Sequence, residues 1–235
     1  MSTQTYFKRE TKTVLLCLAI SQLFAFCKSP DSMNNNNPLL QEFTSIHQTP
    51  PFNEIRTEHY LPAFQQSMEN GRSEISDIIH NPAAPTFENT VEALEKTGKQ
   101  LGRLSAIFFN LNSAETSDEI QRIAREVSPL LTAYSNDIWL NEQLFERVKS
   151  VYENKGSLTL RPDQEKLLSD TYKAFVRRGA LLSNEEKETY RGLTTELAQL
   201  SLEFGENLLA ETNDYKLHIT DQKDLSGLPD AVVEA

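Results

Sequence analysis

The four histidines, the residues best suited to hold a catalytic metal, lack the spacing that a zinc site needs. A zinc hydrolase requires two imidazoles on one helical face, a third ligand, and a carboxylate that takes a proton from the bound water. Residues four apart supply the two imidazoles because they lie side by side on a helix. No two histidines here have that spacing or another short ligand spacing, so we predict no metal ligand and no catalytic residue in this chain. The histidines are His47, His59, His80 and His218.

Other residues that could take part in chemistry have simpler structural explanations. Glu58 and His59 are adjacent and point to different sides of a helix, so we interpret His59 as a packing or capping residue. His80 lies at a predicted helix C-terminus, where positive charge is favourable. Arg177 and Arg178 could contact a peptide carboxylate, but we favour the same helix-end electrostatics as their explanation. The sequence contains no GxSxG, GxGxxG or GxxxxGK[ST] motif.

The N-terminal segment has the layout of a secretory signal peptide, in which basic residues precede a short apolar run. The run covers 14–26 and is too short to cross a bilayer of about 30 Å as a helix. Cys27 follows it where a bacterial lipoprotein is lipidated, although the bulky Phe26 departs from that pattern. We predict a signal peptide over 1–27, lipidation at Cys27, and a protein that is periplasmic or lipid-anchored in a bacterial cell envelope. The alternative is an apolar N-terminus without a targeting role. The basic residues that precede the apolar run are Lys8, Arg9 and Lys12.

The overall composition excludes some functions. The net charge is -11 and the basic residues are scattered, which argues against a nucleic-acid partner, because such a surface needs clustered positive charge to displace phosphate counterions. A mean hydropathy of -0.48 is typical of elongated helices with one solvated face. Both cysteines, Cys17 and Cys27, precede the predicted folded part, which therefore has no disulfide or thiol nucleophile. Residues 28–49, which include the run Asn34–Asn37, are predicted to be a flexible linker.

Apolar residues recur at helical spacing from about residue 58 onward, which predicts an all-α fold for 50–235. Ser117 is a predicted N-cap, Pro162 occupies a favoured first-turn position, and Ser183 with Glu186 forms a capping box. Pro129 falls inside one pattern and predicts a kink or a break there. The predicted helical ranges are about 58–80, 87–109, 118–152, 162–178 and 184–208.

The last predicted helix has the most regular apolar face of the chain. Gly98 and Gly102, in an earlier helix, are interpreted as sites of close helix packing. After the last helix, the alternation in 215–219 predicts a short strand-like segment. The sequence Leu228-Pro229-Asp230 then predicts a further helix start close to the end of the chain, and we expect a truncated domain there. The apolar face of the last predicted helix, 184–208, consists of Tyr190, Leu193, Leu197, Leu200, Phe204 and Leu208.

Several segments, in their order along the chain, resemble the N-terminal helical region of the M3 family of zinc oligopeptidases. They are PPFNEI at 50–55, EHYLPAF at 58–64, PTFENT at 85–90, and the stretch from FVRRGA to FGENLL at 175–209. The resemblance implies an almost entirely helical protein of about 700 residues whose two lobes enclose a channel for short peptides. It also implies a zinc site, built around an HExxH helix, in the C-terminal half of the family's proteins. No position of this chain matches those catalytic motifs.

Two interpretations follow. In the first, the chain is the N-terminal lobe of a peptidyl-dipeptidase-like zinc oligopeptidase that hydrolyses short peptides; zinc belongs to the parent enzyme, and this chain alone is inactive. Its partners are then short peptides and the missing C-terminal catalytic half, and an apolar surface should be exposed where that half packs. In the second, the chain is a non-enzymatic helical module of the cell envelope that binds peptides or a partner protein. A lipid anchor would provide the membrane contact in either case.

Overall fold

The structure is a computed structural model that describes residues 36–234. The predicted signal peptide, the lipidation at Cys27 and most of the predicted linker lie outside these residues. The described chain is all-α, as the helical periodicity predicts, and its helices are joined by short turns. The main helices are α1 Tyr60–Ile79, α2 Lys99–Ala114, α3 Asp118–Trp139, α4 Glu142–Glu153, α5 Pro162–Arg177 and α6 Asn184–Asp214.

The largest core cluster joins α1, α2 and α3 through aromatic side chains. Phe64 and Phe108 are both fully buried and meet edge to face, with ring centroids 5.4 Å apart. Tyr60 packs against Phe108 at 5.0 Å in the same manner. Edge-to-face contacts of this kind add specific geometry to the burial of apolar area. This cluster holds α1, α2 and α3 together.

A second cluster joins the end of α1 to α4 and α5. Phe175 of α5 is fully buried against Phe145 and Trp139, and its ring centroid lies 4.8 Å from that of Trp139. Beside it, Tyr152 and Tyr172 stack with ring centroids 4.0 Å apart. These contacts hold α4 and α5 together as an antiparallel pair, the arrangement that a short connection between helices favours.

The helix predicted over 87–109 is divided in the structure. A π-helical segment, Phe87–Glu92, begins at the capping residue Thr86 and passes into the single turn Ala93–Glu95. Gly98 then adopts a left-handed conformation with φ of 66°, and α2 starts after it. The interpretation of Gly98 as a packing site is therefore wrong, since the residue is needed for its backbone angle. Gly102 is also not a packing site, since no atom lies within 4 Å of the position of its missing Cβ.

The helical pattern over 118–152 also contains a boundary, but not at Pro129. Helix α3 runs through Pro129 without a break and ends at Trp139. The next helix, α4, has Asn141 as its N-cap, and the side chain of Asn141 accepts a hydrogen bond from the amide of Leu144. Asn141 is thus the capping residue that the apolar periodicity alone did not reveal.

Residues 37–40 of the predicted linker are packed, which corrects the linker prediction for these four residues, whereas 41–49 are mostly exposed. Asn37 and Leu39 are 2% and 1% exposed. The Asn37 amide donates to the carbonyl of His59, and the Gln100 amide donates to the carbonyl of Leu40. Because Leu39 belongs to the main core cluster, the folded unit begins earlier than residue 50.

The segment that follows α6 is irregular. The strand predicted over 215–219 is not formed, because no second segment of the described chain pairs with it. The predicted helix start at Pro229 is confirmed by the short helix Asp230–Val233. Among the helices of residues 36–234, none combines the length and the apolar character needed to cross a membrane.

Candidate interface on the long helix

Helix α6 packs on α3 through a face that is mostly polar. It begins at the predicted capping box, in which the Ser183 hydroxyl accepts from the Glu186 amide while the Glu186 carboxylate accepts from the Ser183 amide. Its 31 residues extend for about 46 Å. Leu202 is the large apolar residue of α6 that packs against the main core cluster.

Hydrogen bonds and ion pairs connect α6 to its neighbours along most of its length. Lys187 is only 6% exposed, and its Nζ lies 2.8 Å from the Glu142 carboxylate at the start of α4. The remaining three contacts join α6 to α3. They are Arg191 to Asp137 at 2.9 Å, Asn136 to Thr194 at 2.9 Å, and Arg125 to both carboxylate oxygens of Glu206 at 2.7 Å.

The predicted apolar face of α6 points away from the rest of the described chain. Five of its six side chains are between 54% and 69% exposed, and the sixth, Tyr190, is half-buried. We call the five exposed side chains the α6 stripe. It consists of Leu193, Leu197, Leu200, Phe204 and Leu208.

Helical geometry shows that the packed and exposed faces of α6 are nearly opposite. Each residue advances about 100° around the helix axis. On that basis the α6 stripe covers about 80° of arc. The contact residues Arg191 and Leu202 lie on the far side, and Thr194 lies at the border between the two faces. A contiguous apolar surface of this kind usually marks a site of contact with another protein segment.

The two edges of the α6 stripe differ in charge. Glu196, Glu203 and Asp214 are 7 and 11 residues apart, about two and three turns, so they lie along one edge. Thr194, Ser201 and Thr212 have the same spacing and lie along the other. Between Gly192 and Tyr215 the sequence contains no lysine, arginine or histidine. The three edge carboxylates are exposed and form no ion pair with any residue of the described range.

The histidines occupy unconnected structural positions. The Nδ1 of His59 accepts a hydrogen bond of 3.0 Å from the amide of Arg56, which confirms its capping role. The Nδ1 of His80 lies 2.8 Å from the carbonyl oxygen of Ser76, at the end of α1. His47 lies in the short 3-10 turn Ile46–Gln48 and His218 in an irregular segment, and both are exposed. Within 36–234, no three histidine, cysteine or acidic side chains are grouped closely enough to hold a metal ion.

The paired arginines lie at the C-terminus of α5, as predicted. The guanidinium of Arg178 lies over the Trp139 ring, 4.3 Å from its centroid, and both arginines are exposed. A different arginine, Arg147, connects distant segments: its guanidinium donates to the carbonyl of Asn81 at 3.0 Å. Its Nε is buried without a partner in the described chain. The sequence offered no signal for Arg147, Lys187 or Asn136, because each depends on a contact between residues far apart in the chain.

Comparison with known proteins supplies relatives for most of this chain. It is 40% identical over 194 residues to the dipeptidyl carboxypeptidase of Salmonella typhimurium, a match that covers 83% of this chain and 28% of that protein. It is 37% identical over 196 residues to the dipeptidyl carboxypeptidase of Escherichia coli, with 83% and 29% covered. It is 28% identical over 199 residues to the oligopeptidase A of Escherichia coli, with 85% and 29% covered. No protein-family profile matches the chain. The chain thus spans less than a third of the length of these curated relatives.

Proposed function

This chain matches an N-terminal fragment of the M3-family peptidases, and we propose that it is the non-catalytic helical part of a longer, peptidyl-dipeptidase-like zinc oligopeptidase. In this proposal the complete protein hydrolyses short peptides by means of a zinc-activated water. The zinc ligands and the general base belong to the remainder of the protein, and this chain forms part of the wall of the substrate channel. The chain alone is inactive.

The exposed α6 stripe is the observation that supports this role within the structure. A solvated face holding four leucines and a phenylalanine over about 22 Å is costly unless another segment covers it. The polar side of α6 is already occupied by α3 and α4, through Arg191, Thr194 and Lys187. We infer that the remainder of the parent protein packs on the α6 stripe, which makes α6 a connection between this helical part and the catalytic part.

A fusion protein tests the proposal. Residues 36–234 of this chain would replace the matched N-terminal part of the Salmonella dipeptidyl carboxypeptidase. We expect the fusion to bind zinc and to release dipeptides from short peptides, because the chain then supplies the missing helical part. We expect neither zinc binding nor hydrolysis from this chain by itself.

Two double variants of the fusion distinguish the α6 stripe from other exposed apolar residues. Leu197→Gln with Phe204→Gln should lower the hydrolysis rate at least about tenfold, because it places two amides where apolar contacts are expected. Ile46→Gln with Leu181→Gln, two residues that are 81% and 66% exposed elsewhere, should leave the rate unchanged. A fusion that folds and binds zinc but hydrolyses no peptide contradicts the proposed function. Equal rates for the two variants contradict the role of the α6 stripe.

Export to the cell envelope is a further part of the proposal, and it rests on the sequence of the first 27 residues. We propose that a bacterium removes residues 1–26 and attaches a lipid to Cys27. Expression of the natural gene with a labelled fatty acid should give a labelled membrane-bound protein, and Cys27→Ser should abolish the label. A Cys27→Ser protein that is still processed and soluble in the periplasm indicates an ordinary signal peptide, whereas an uncleaved cytoplasmic protein contradicts export.

A further inference from the structure

The charge pattern beside the α6 stripe specifies what kind of segment covers it. We propose that its occupant is an amphipathic α-helix with an apolar face and a row of lysine or arginine side chains along one edge. This inference rests on the proposed function, in which the occupant belongs to the remainder of the parent protein, and it adds the chemistry by which that segment is selected.

The shape of the surface favours a helical occupant. The α6 stripe has successive spacings of 4, 3, 4 and 4 residues and lies on a regular helix. Such a straight apolar row fits the row of a second helix laid along it, as in helix pairs generally. An extended peptide binds by pairing its backbone with the edge of a sheet, and this helical surface offers no unpaired backbone groups for such pairing.

The charge along one edge of the α6 stripe is unbalanced. Glu196, Glu203 and Asp214 form one edge, and the segment between Gly192 and Tyr215 contains no basic residue to neutralise them. Elsewhere on α6 the acidic residue Glu206 is held by Arg125 in a two-oxygen contact. A covering helix with lysine or arginine along this edge would give the three edge carboxylates their counterions. A covering helix without such residues would leave the carboxylates unpaired beside its surface, which is less favourable.

The same charge pattern disfavours a second copy of this chain as the occupant. Two copies related by a two-fold axis as an antiparallel pair would place the acidic edge of one α6 against the acidic edge of the other. A parallel pair would place the acidic edge against the edge formed by Thr194, Ser201 and Thr212, which offers no positive charge. Like charges facing each other are destabilising, and the net charge of -11 adds a general repulsion.

Two synthetic peptides test the proposal on the complete chain. Both are helical, about 20 residues long, with the same leucine row, which is enough to span the stripe. The basic peptide has lysines along one edge, and the acidic peptide has glutamates at the same positions. We expect the basic peptide to bind about tenfold more tightly at low salt, since three exposed ion pairs each contribute a modest amount. At about 1 M salt the preference should largely disappear.

Charge reversal on the protein provides the decisive comparison. The triple variant Glu196→Lys, Glu203→Lys and Asp214→Lys should invert the preference, so that the acidic peptide binds more tightly. The matched control, Glu54→Lys, Asp77→Lys and Glu146→Lys, reverses three exposed carboxylates away from α6 and should keep the original preference. The pair Leu197→Gln and Phe204→Gln should abolish binding of both peptides.

Three results would overturn the proposal. Equal binding of the two peptides would show that the α6 stripe selects its occupant without regard to charge. No binding of either peptide would show that a helix is not the occupant. A stable dimer that Leu197→Gln with Phe204→Gln dissociates would identify a second copy instead. Each of these outcomes is compatible with an active fusion enzyme, so the function proposed above is tested separately.

Discussion

The side-chain amide of Asn136 donates a hydrogen bond of 2.9 Å to the hydroxyl of Thr194 inside the contact between α3 and α6. Asn136 is 6% exposed, so its amide has little access to water. The Thr194 hydroxyl in turn lies 2.9 Å from the carbonyl of Tyr190, to which it can donate its own proton. The contact between the two longest helices of the described chain therefore depends on polar pairing in addition to apolar packing.

Thr194→Val should destabilise the protein by about 1–2 kcal/mol, because it leaves the buried amide of Asn136 without its acceptor. Adding Asn136→Leu should restore part of the loss, since both partners are then apolar. Urea unfolding followed by circular dichroism measures the stability of Thr194→Val, of Asn136→Leu and of the double variant. A double variant whose loss equals or exceeds the sum of the two single losses would show that the hydrogen bond contributes nothing of its own.

The ion pair between Lys187 and Glu142 should respond asymmetrically to substitution. Glu142→Gln leaves a buried ammonium without a counterion and should cost about 1 kcal/mol, a value kept low because the Glu142 side chain is 65% exposed. Lys187→Met removes the charge itself and should be close to neutral.

Equilibrium unfolding of the two single variants and of the double variant checks this asymmetry. The double variant should be more stable than Glu142→Gln alone. If Lys187→Met is the more damaging of the two single changes, the ion pair is a net source of stability, and the cost of burying the ammonium does not decide the outcome.

The capping box of α6 should make stability depend on pH in the acidic range. The amide of Ser183, and then its hydroxyl, donate to the Glu186 carboxylate and lower the pKa of that group. Because the folded-state pKa lies below the unfolded value of about 4.3, the stabilisation is present above that pH. It is lost as the pH falls through the folded-state pKa.

Comparison with Glu186→Gln isolates this effect, because glutamine can still reach the same amide but cannot be ionised. The stability difference between the natural protein and this variant should be largest above about pH 5 and should shrink on acidification. Unfolding midpoints measured at several pH values give this difference directly. A difference that stays constant between about pH 3 and 6 would show that the charge of Glu186 is irrelevant.

Two glycines on helices should respond in opposite ways to alanine. A Cβ at Gly71 would collide with the hydroxyl oxygen of Tyr134, so Gly71→Ala should destabilise by about 1–3 kcal/mol. Gly205 has no atom within 4 Å of that position, so Gly205→Ala should stabilise by about 0.5–1 kcal/mol through its helix propensity.

Thermal or urea unfolding of the two variants gives the sign of each effect. Tyr134→Phe should relieve part of the Gly71→Ala loss, since it removes the closest atom. A Gly205→Ala variant that is less stable than the natural chain would mean that another segment approaches α6 at this point.

Local sequence signals predicted most helix starts of this fold. Ser117, Pro162 and Ser183 each begin a helix as expected, because a capping group or a fixed backbone angle acts within a few residues. The predictions that were wrong concern positions determined by backbone geometry or by contacts between residues far apart in the chain. Gly98 ends one helical turn and precedes α2, while the carboxylate of Glu74 in α1 accepts the hydrogen bond from its amide.

The candidate interface was only partly predictable for the same reason. The spacing of Leu193, Leu197 and Phe204 identified an apolar face, but spacing does not say which face of a helix the neighbouring helices cover. The covered face of α6 is determined by contacts such as those of Lys187 and Arg191, whose partners lie 45 and 54 residues away in the sequence. Such pairings follow from the tertiary structure and leave no periodic signal.

Trp139 lies at the junction of α3 and α5, between the ring of Phe175 and the guanidinium of Arg178. It is the one tryptophan in the 235 residues, so tryptophan fluorescence reports on this junction alone. Helix α6 holds about a sixth of the described residues but no tryptophan, and it therefore contributes strongly to far-ultraviolet circular dichroism and little to emission. If α6 frays before the helical body unfolds, the two optical signals will change at different temperatures. The chain thus contains its own means of separating the melting of its exposed helix from the melting of its core.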